Sequence, residues 1–177
     1  MPTYRETPEV KPGVTNLADD IRIRAPLPAD HLEIAALIES LIPRYLARDL
    51  TAEGIAVVRE NAQAGMIGVR LGGLAPPVWS PAFVAVAGSR VVGFGAVRDE
   101  THITQVQVAE GWQGHGIGAR LVRALIEEVR RRHPRAREVT LNAASGALVS
   151  YLRMGFVPQG PRWLWRGIIA QPMVFRL

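Results

Sequence analysis

Cysteine is absent from the 177-residue chain. Its absence excludes disulfide bonds, thiolate metal ligands and a cysteine nucleophile. Lysine is almost absent as well, because every basic residue except Lys11 is arginine. The net charge of +5 is modest, and the arginines are spread along the chain. A nucleic-acid-binding domain concentrates its basic residues on one surface, so the charge pattern does not favour nucleic acid as a partner.

Long hydrophobic runs are also missing. The longest apolar stretches, such as Phe83–Ala87 and Val91–Val97, have the length of strands, whereas a membrane-spanning helix needs about 20 apolar residues. The first twenty residues mix both charge signs with prolines and contain no apolar segment of the kind found in signal peptides. We therefore expect no membrane partner and a cytoplasmic location.

The hydrophobic pattern predicts one domain. Residues 1–20 lack periodicity and are expected to form an extended or disordered arm, and residues 21–177 to form the folded domain. Ile21–Arg24 alternates as a half-buried strand does, and Asp30 with Glu33 predicts a capping box at the start of a helix. That helix continues through Ile34, Leu37, Ile38, Leu41 and Tyr45 and ends near Pro43 or is kinked there.

A second helix is predicted to begin at Thr51 and to run towards Ala64. The glycines and prolines between residues 65 and 81 predict a long surface connection that overhangs a site. Three strands joined by short turns follow, which indicates an antiparallel meander. They are Phe83–Ala87, Val91–Val97 and His102–Val108.

The helix that begins near Ile117 has the clearest apolar face, and Pro134 ends it. The strand Glu138–Leu141 comes next, so the strand–helix–strand unit predicts a parallel crossover. A short helix near residues 145–154 and a last strand at Met173–Leu177 complete the order. The predicted fold class is α/β (α+β): a mixed, mostly antiparallel sheet flanked by helices.

A glycine-rich loop stands between the third meander strand and the long helix, with glycines at positions 114, 116 and 118. Glycines at a helix start leave free N–H groups open to a ligand, and the positive end of the helix favours a pyrophosphate. The spacing Gly114-x-Gly116-x-x-Ala119 also fits a dinucleotide fingerprint. That fingerprint requires an acid at the end of the next strand, about 20 residues later, and here the strand ends in Leu141-Asn142.

The alternative spacing, Gln113-x-x-Gly116-x-Gly118, resembles the acetyl-CoA motif of the general N-acetyltransferase (GNAT) superfamily. A second stretch is similar to that family's other signature: Asn142-Ala143-Ala144-Ser145, followed by Tyr151, Gly155 and Phe156. The order of helices and strands over residues 21–177 is also the family's order. The resemblance implies a GNAT-like sheet with a splayed parallel strand pair at the cofactor site.

The resemblance further implies a set of acetyl-CoA-binding residues on the splayed strand, in the glycine loop and after the fifth strand. They are Val106, Val108, Gln113, Gly114, His115, Gly116, Ile117, Gly118, Ala119, Asn142 and Ser145. The two valines act through their backbone, and the loop residues hold the pyrophosphate. No metal site is expected, because the four histidines are scattered and have no cysteine partner.

Three residues are candidates for proton transfer. Tyr151 stands where many members of the family carry the general acid for the CoA thiolate, and a phenol suits that role. His102 lies eleven residues before Gln113, a position that holds a glutamate base in histone-acetylating members, and histidine titrates in the useful range. Glu100 is the second candidate for the base. A water-mediated route and purely structural roles for Tyr151 and His102 stay open.

These residues predict an acetyl-CoA-dependent N-acetyltransferase that transfers the acetyl group directly to an amine in a ternary complex, because no cysteine is available to carry it. The alternative is a CoA-binding sensor or interaction module without turnover. A basic nucleic-acid-binding domain is a third class. The acceptor, whether small molecule or protein, and the formation of a homodimer are left open by the sequence.

Overall fold

The structure is a computed structural model, which describes residues 20–43, 48–73 and 77–177. Apart from Asp20, the expected N-terminal arm lies outside these ranges, as does Tyr45. The strands are β1 (Ile21–Arg24), β2 (Ala82–Ala87), β3 (Arg90–Arg98), β4 (His102–Val108), β5 (Glu138–Ala143), β6 (Val157–Pro158), β7 (Trp163–Trp165) and β8 (Ile168–Arg176). The helices are α1 (His31–Leu41), α2 (Ala52–Ala62), α3 (Ala64–Gly68), α4 (Ile117–Arg132) and α5 (Leu148–Arg153).

The strands form one sheet in the order β1-β2-β3-β4-β5-β8-β6, and β7 pairs with β8 beside this path. Every pair is antiparallel except β4–β5, which is parallel. The predicted mixed, mostly antiparallel sheet is therefore confirmed. Within the part of the chain that the structure describes, no helix is long and apolar enough to cross a membrane.

The two faces of the sheet carry different helices. Val84 packs in a cluster with Ile34 of α1 and Ile67 of α3, whereas the next residue, Ala85, packs with Leu121 of α4. This alternation along β2 places α1 and α3 on one face and α4 on the other. Side chains of α5 join the α4 cluster, together with Phe156. The hydrophobic stripe of α4 is buried, as predicted.

A bulge and a splay occur together in the middle of the sheet. β4 and β5 are paired only through His102–Thr140 and Ile103–Leu141. In the pairing with β3, the register shifts so that Val97 opposes Ile103 and Ala96 opposes Gln105, which leaves Thr104 as the extra residue. Because a bulge bends its strand, β4 turns away from β5 directly after the last parallel pair. The predicted splay is thereby explained.

The predicted capping box of α1 is wrong. The Asp30 carboxylate accepts hydrogen bonds from the Arg24 guanidinium, at 2.6 and 2.9 Å, and from the N–H of Leu27, at 2.6 Å. The Glu33 carboxylate accepts from the N–H of Val91 at 2.8 Å. Both acids therefore bind partners outside α1, because an ion pair and a strand-end N–H compete with the local cap.

The predicted surface connection between residues 65 and 81 is wrong over much of its described length. Helix α3 begins at Ala64, and a π-helical turn, Val69–Gly73, follows it. Ile67 is fully buried, and Trp79 packs against Phe94 with ring centroids 5.7 Å apart. These apolar side chains hold the segment against the sheet. Helix α2 ends at Ala62, two residues before the predicted position.

The C-terminal hairpin extends the last strand beyond its prediction, since β8 begins at Ile168 and not at Met173. Strand β7 pairs with it through a two-residue turn, Arg166-Gly167, in which both residues have positive φ. Gly167 and Ile168 are also held by the segment before α2: the N–H of Thr51 donates to the Gly167 carbonyl at 2.8 Å, and Leu50 bridges Ile168. Distant partners thus define this hairpin.

Candidate functional site

The glycine loop between β4 and α4 leaves the start of α4 uncovered. Gly111, Gly114 and Gly116 have φ values of 81°, 80° and 76°, which side-chain-bearing residues rarely adopt. A Cβ built on Gly114 or Gly116 would meet no atom within 4 Å, so space is open beside both. Gly116 is the N-cap of α4, and the first N–H groups of a helix have no partner within it. The loop can therefore bind an anion.

Side chains within the loop fix its shape. The Gln113 side-chain amide donates to the Val108 carbonyl at 2.9 Å, and His115 Nδ1 lies 2.9 Å from the Gln113 carbonyl oxygen. Ile117 is buried against the sheet, and a Cβ on Gly118 would lie 3.7 Å from Cγ2 of Val108. Ala119 is half-buried in the first turn of α4. Gln113 thus ties the loop to the end of β4.

The gap between β4 and β5 opens beside this loop. Val106 and Val108 lie beyond the two residue pairs that join the strands, and their side chains pack under α4. On the side of β5, this part of β4 has no paired strand among the described residues. Apart from the Val108 carbonyl, which accepts from Gln113, the backbone on that side can bind an extended ligand. The structure thus brings the valines and the glycine loop together.

Tyr151 lies on α5, on the same face of the sheet as α4. Its ring contacts Phe156 edge-on at a centroid distance of 5.7 Å, and Phe156 in turn packs on Phe175 at 5.3 Å. Burial raises the pKa of Tyr151 to about 12, because a phenolate is poorly stabilised away from water. The hydroxyl group is therefore protonated at neutral pH and can donate a proton.

His102 lies on the opposite face. Its Nδ1 is 2.8 Å from Oγ1 of Thr140, and Thr140 alternates with Val139 and Leu141, which are buried in the α4 cluster. Burial, with a smaller contribution from the Arg98 charge, lowers the pKa of His102 below its ordinary value. The imidazole is neutral at pH 7 and can accept a proton.

Glu100 lies apart from the glycine loop. Its side chain is 75% exposed in the turn between β3 and β4, and its carboxylate is 3.7 Å from Nδ1 of His133. His133 follows the C-terminal end of α4, whereas the glycine loop precedes the helix. Glu100 and the loop are therefore at opposite ends of α4.

Asn142 and Ser145 follow the splay on β5 and in the turn after it. Asn142 is exposed and opposes Pro172 of β8. Ser145 donates hydrogen bonds to the Asp49 carboxylate from its N–H, at 2.7 Å, and from its hydroxyl, at 2.5 Å. The Ser145 groups expected to bind the cofactor thus have a partner within the protein. Asp49 was not predicted, because its partner stands 96 positions away.

Two glutamines at the splay were also not predicted. Gln105 and Gln107 alternate with the two valines that pack under α4, so they lie on the opposite face. The Gln107 amide donates to Gln105 Oε1 at 2.5 Å, and Gln107 Oε1 is buried without a partner within the described ranges. Buried polar atoms are nearly always hydrogen-bonded. Alternation of glutamine with valine in a central strand is the sequence signal that marks them.

Comparison with known proteins agrees with this geometry. The family model for the acetyltransferase (GNAT) domain matches residues 80–177, more than half of the chain. A GCN5-related N-acetyltransferase from Rhodopseudomonas palustris has a similar structure: the TM-score is 0.74 at 22% identity, over 88% of this chain and 95% of that one. No curated protein is significantly similar to the chain.

Two similar structures contain coenzyme A or acetyl-CoA. The PaiA N-acetyltransferase from Thermoplasma acidophilum, in complex with coenzyme A, has a TM-score of 0.74 at 15% identity, over 89% of this chain and 99% of that one. YncA from Salmonella typhimurium, with its cofactor acetyl-CoA, has a TM-score of 0.59 at 19% identity, over 88% and 93%. At these identities the likeness shows the fold.

Proposed function

The chain belongs to the GNAT acetyltransferases, and from this premise we propose that it transfers an acetyl group from acetyl-CoA directly to the nitrogen of an amine acceptor. The observation that carries the proposal is the gap between β4 and β5, which opens beside the uncovered N-terminus of α4. An extended ligand with an anionic middle fits these two features together. Coenzyme A has that form.

The residues present fit acetyl-CoA as the acetyl donor. The N–H groups from Gly114 to Ala119 would hold the pyrophosphate, because no atom lies within 4 Å of a Cβ at Gly114 or Gly116. The backbone of Val106–Val108, which has no paired strand on the side of β5, would bind the pantetheine arm, and Asn142 lies on β5 across the gap. When bound, the thioester supplies an activated acyl group and a thiolate leaving group.

Two proton transfers balance the reaction. The amine nitrogen forms a bond to the acyl carbon while the carbon–sulfur bond breaks. His102, neutral at pH 7, takes the proton that the amine loses, and Tyr151 gives its proton to the departing thiolate. The two residues lie on opposite faces of the sheet, and His102 lies beside the last residue pair before the gap between β4 and β5. No cysteine is present to carry the acetyl group.

The acceptor is proposed to approach from the face that carries His102. Gln105 and Gln107 lie on that face, and their amide groups are proposed to hydrogen-bond the acceptor. An amine or amide N–H is a suitable donor. Both a small amine and a protein amine fit this description.

Release of CoA thiol, with mass measurement of the product, tests the proposal. The assay combines purified protein and acetyl-CoA with a panel of small amines and of peptides with free amino groups. Thiol release that depends on one class of amine, with a mass gain of one acetyl group, is expected. Acetyl-CoA binding without release for every amine would instead support a CoA-binding sensor.

A further inference from the structure

Asp49 is a buried acid that the proposed transfer does not use. Asp30 and Asp49 are the two buried charged residues among those described. Asp30 is neutralised by Arg24 at 2.6 Å, whereas Asp49, 3% exposed, has no ion pair within the described ranges. The Asp49 carboxylate instead accepts hydrogen bonds from the N–H and the hydroxyl of Ser145. Burying a carboxylate is costly unless such hydrogen bonds hold it, so the position of Ser145 is tightly constrained.

Asp49 joins segments that are distant in the sequence. The Ile169 N–H of β8 donates to the Asp49 carbonyl at 2.7 Å, so the backbone at Asp49 is fixed by the C-terminal hairpin. Its side chain reaches the turn between β5 and α5. Arg162 approaches the same point, donating to the Ser145 hydroxyl oxygen at 2.9 Å. The hydroxyl therefore accepts from Arg162 and donates to Asp49, which fixes its direction.

The helix that carries Tyr151 starts at this junction. Ser145 begins the turn Ser145–Ala147, which continues directly into α5. We propose that Asp49 is a positioning residue for Tyr151: it anchors the start of α5 and thereby sets the phenol at the splay between β4 and β5. The inference rests on the proposed function for its kinetic part. A proton donor must be held close to its target, because a misplacement of about 1 Å can cost 10²-fold in rate.

Kinetics of Asp49→Asn test this role, with Asp30→Asn as the matched control. Both variants neutralise a buried acid, but Asp30 lies before α1 and not beside α5. For Asp49→Asn we expect kcat to fall about tenfold or more, with the acetyl-CoA KM changed by less than about threefold. Asp30→Asn should keep kcat. Equal losses of kcat in both variants would overturn the proposal.

A double variant shows whether Asp49 acts through Tyr151. If it does, Asp49→Asn combined with Tyr151→Phe is no slower than Tyr151→Phe alone, since the shared contribution is lost only once. Losses that multiply would contradict the proposal. If Asp49→Asn does not fold, Ser145→Ala takes its place. It removes the hydroxyl contact and keeps the N–H contact, so a smaller fall in kcat is expected, and an unchanged kcat would count against the role.

Hydrogen exchange tests the anchor without any turnover. In the free protein, amides of residues 145–153 should exchange faster in Asp49→Asn than in the wild type, and Asp30→Asn should leave them unchanged. If no amine is acetylated, the proposed function fails while this measurement still tests the anchor. Unchanged exchange across α5 in Asp49→Asn would overturn the positioning role itself.

Discussion

At the scale of single residues, burial acts in opposite directions on the two proton-transfer candidates. It disfavours the charged form of each, so it raises the pKa of Tyr151 and lowers that of His102. At pH 7 the phenol is protonated and the imidazole is neutral. These are the protonation states that the proposed transfer requires.

Replacing Tyr151 with phenylalanine removes the proposed proton donor and little else, because the ring and its contacts with Phe156 are kept. We expect kcat to fall by ~10²–10⁴-fold, the usual range for general acid–base assistance, with little change in the acetyl-CoA KM. Steady-state kinetics at pH 7 measure both constants. A fall in kcat of less than about threefold would assign Tyr151 to packing alone, since it lies far below that range.

The lowered pKa of His102 predicts how kcat/KM changes on the acidic side of its pH profile. Because its pKa is lowered from 6.5 by burial, kcat/KM should rise with pH through a midpoint below that value and then level off. His102→Ala should lose this rise, and His102→Glu should restore part of the activity. If His102→Ala keeps the profile while Glu100→Gln is inactive, Glu100 is the base.

At the scale of elements, hydrophobic patterns in the sequence predicted those helices and strands whose formation depends on contacts of that pattern. The apolar stripe of α4 and the short apolar runs of β2 and β3 predict those elements, since α4 buries one face and the two strands are buried on both faces. Helix α3 was missed because its glycines indicate a loop, while the burial of Ile67 against α1 holds it helical. The hairpin of β7 and β8 was missed because its contacts with Leu50 and Thr51 are distant in sequence.

The contact between α2 and this hairpin predicts a stability effect. A Cβ on Gly54 would lie 2.3 Å from the Gly167 carbonyl oxygen, a backbone atom that cannot move alone. Gly54→Ala should therefore lower the free energy of unfolding by about 1–3 kcal/mol, the usual cost of overpacking. Urea denaturation measures it. Gly65→Ala, with no atom within 4 Å of its Cβ, is the control and should be neutral or stabilising; equal stability of both variants would refute the close contact.

At the scale of the whole molecule, the order of the helices and strands could be predicted from the sequence. The residues that form the candidate site could be predicted only in part. A meander, a crossover helix and a parallel strand leave few arrangements of the sheet, and the glycines mark the start of α4. The side chains on the proposed acceptor side could not be predicted in this way. The bulge at Thr104 places Gln105 and Gln107 beside the splay, and the hairpin fixes the backbone of Asp49, whose side chain holds Ser145.

The most direct test of the central claim is calorimetric titration of acetyl-CoA into the wild type, Gly118→Ala and Gly118→Asp. A Cβ at this position meets only Cγ2 of Val108, at 3.7 Å, so both variants should fold, which thermal unfolding checks. We expect the wild type and Gly118→Ala to bind alike. Gly118→Asp should bind about 100-fold more weakly or worse, because like charges at a binding surface cost several kcal/mol. Equal affinity in all three folded proteins would contradict pyrophosphate binding at the glycine loop, and with it the proposed use of acetyl-CoA.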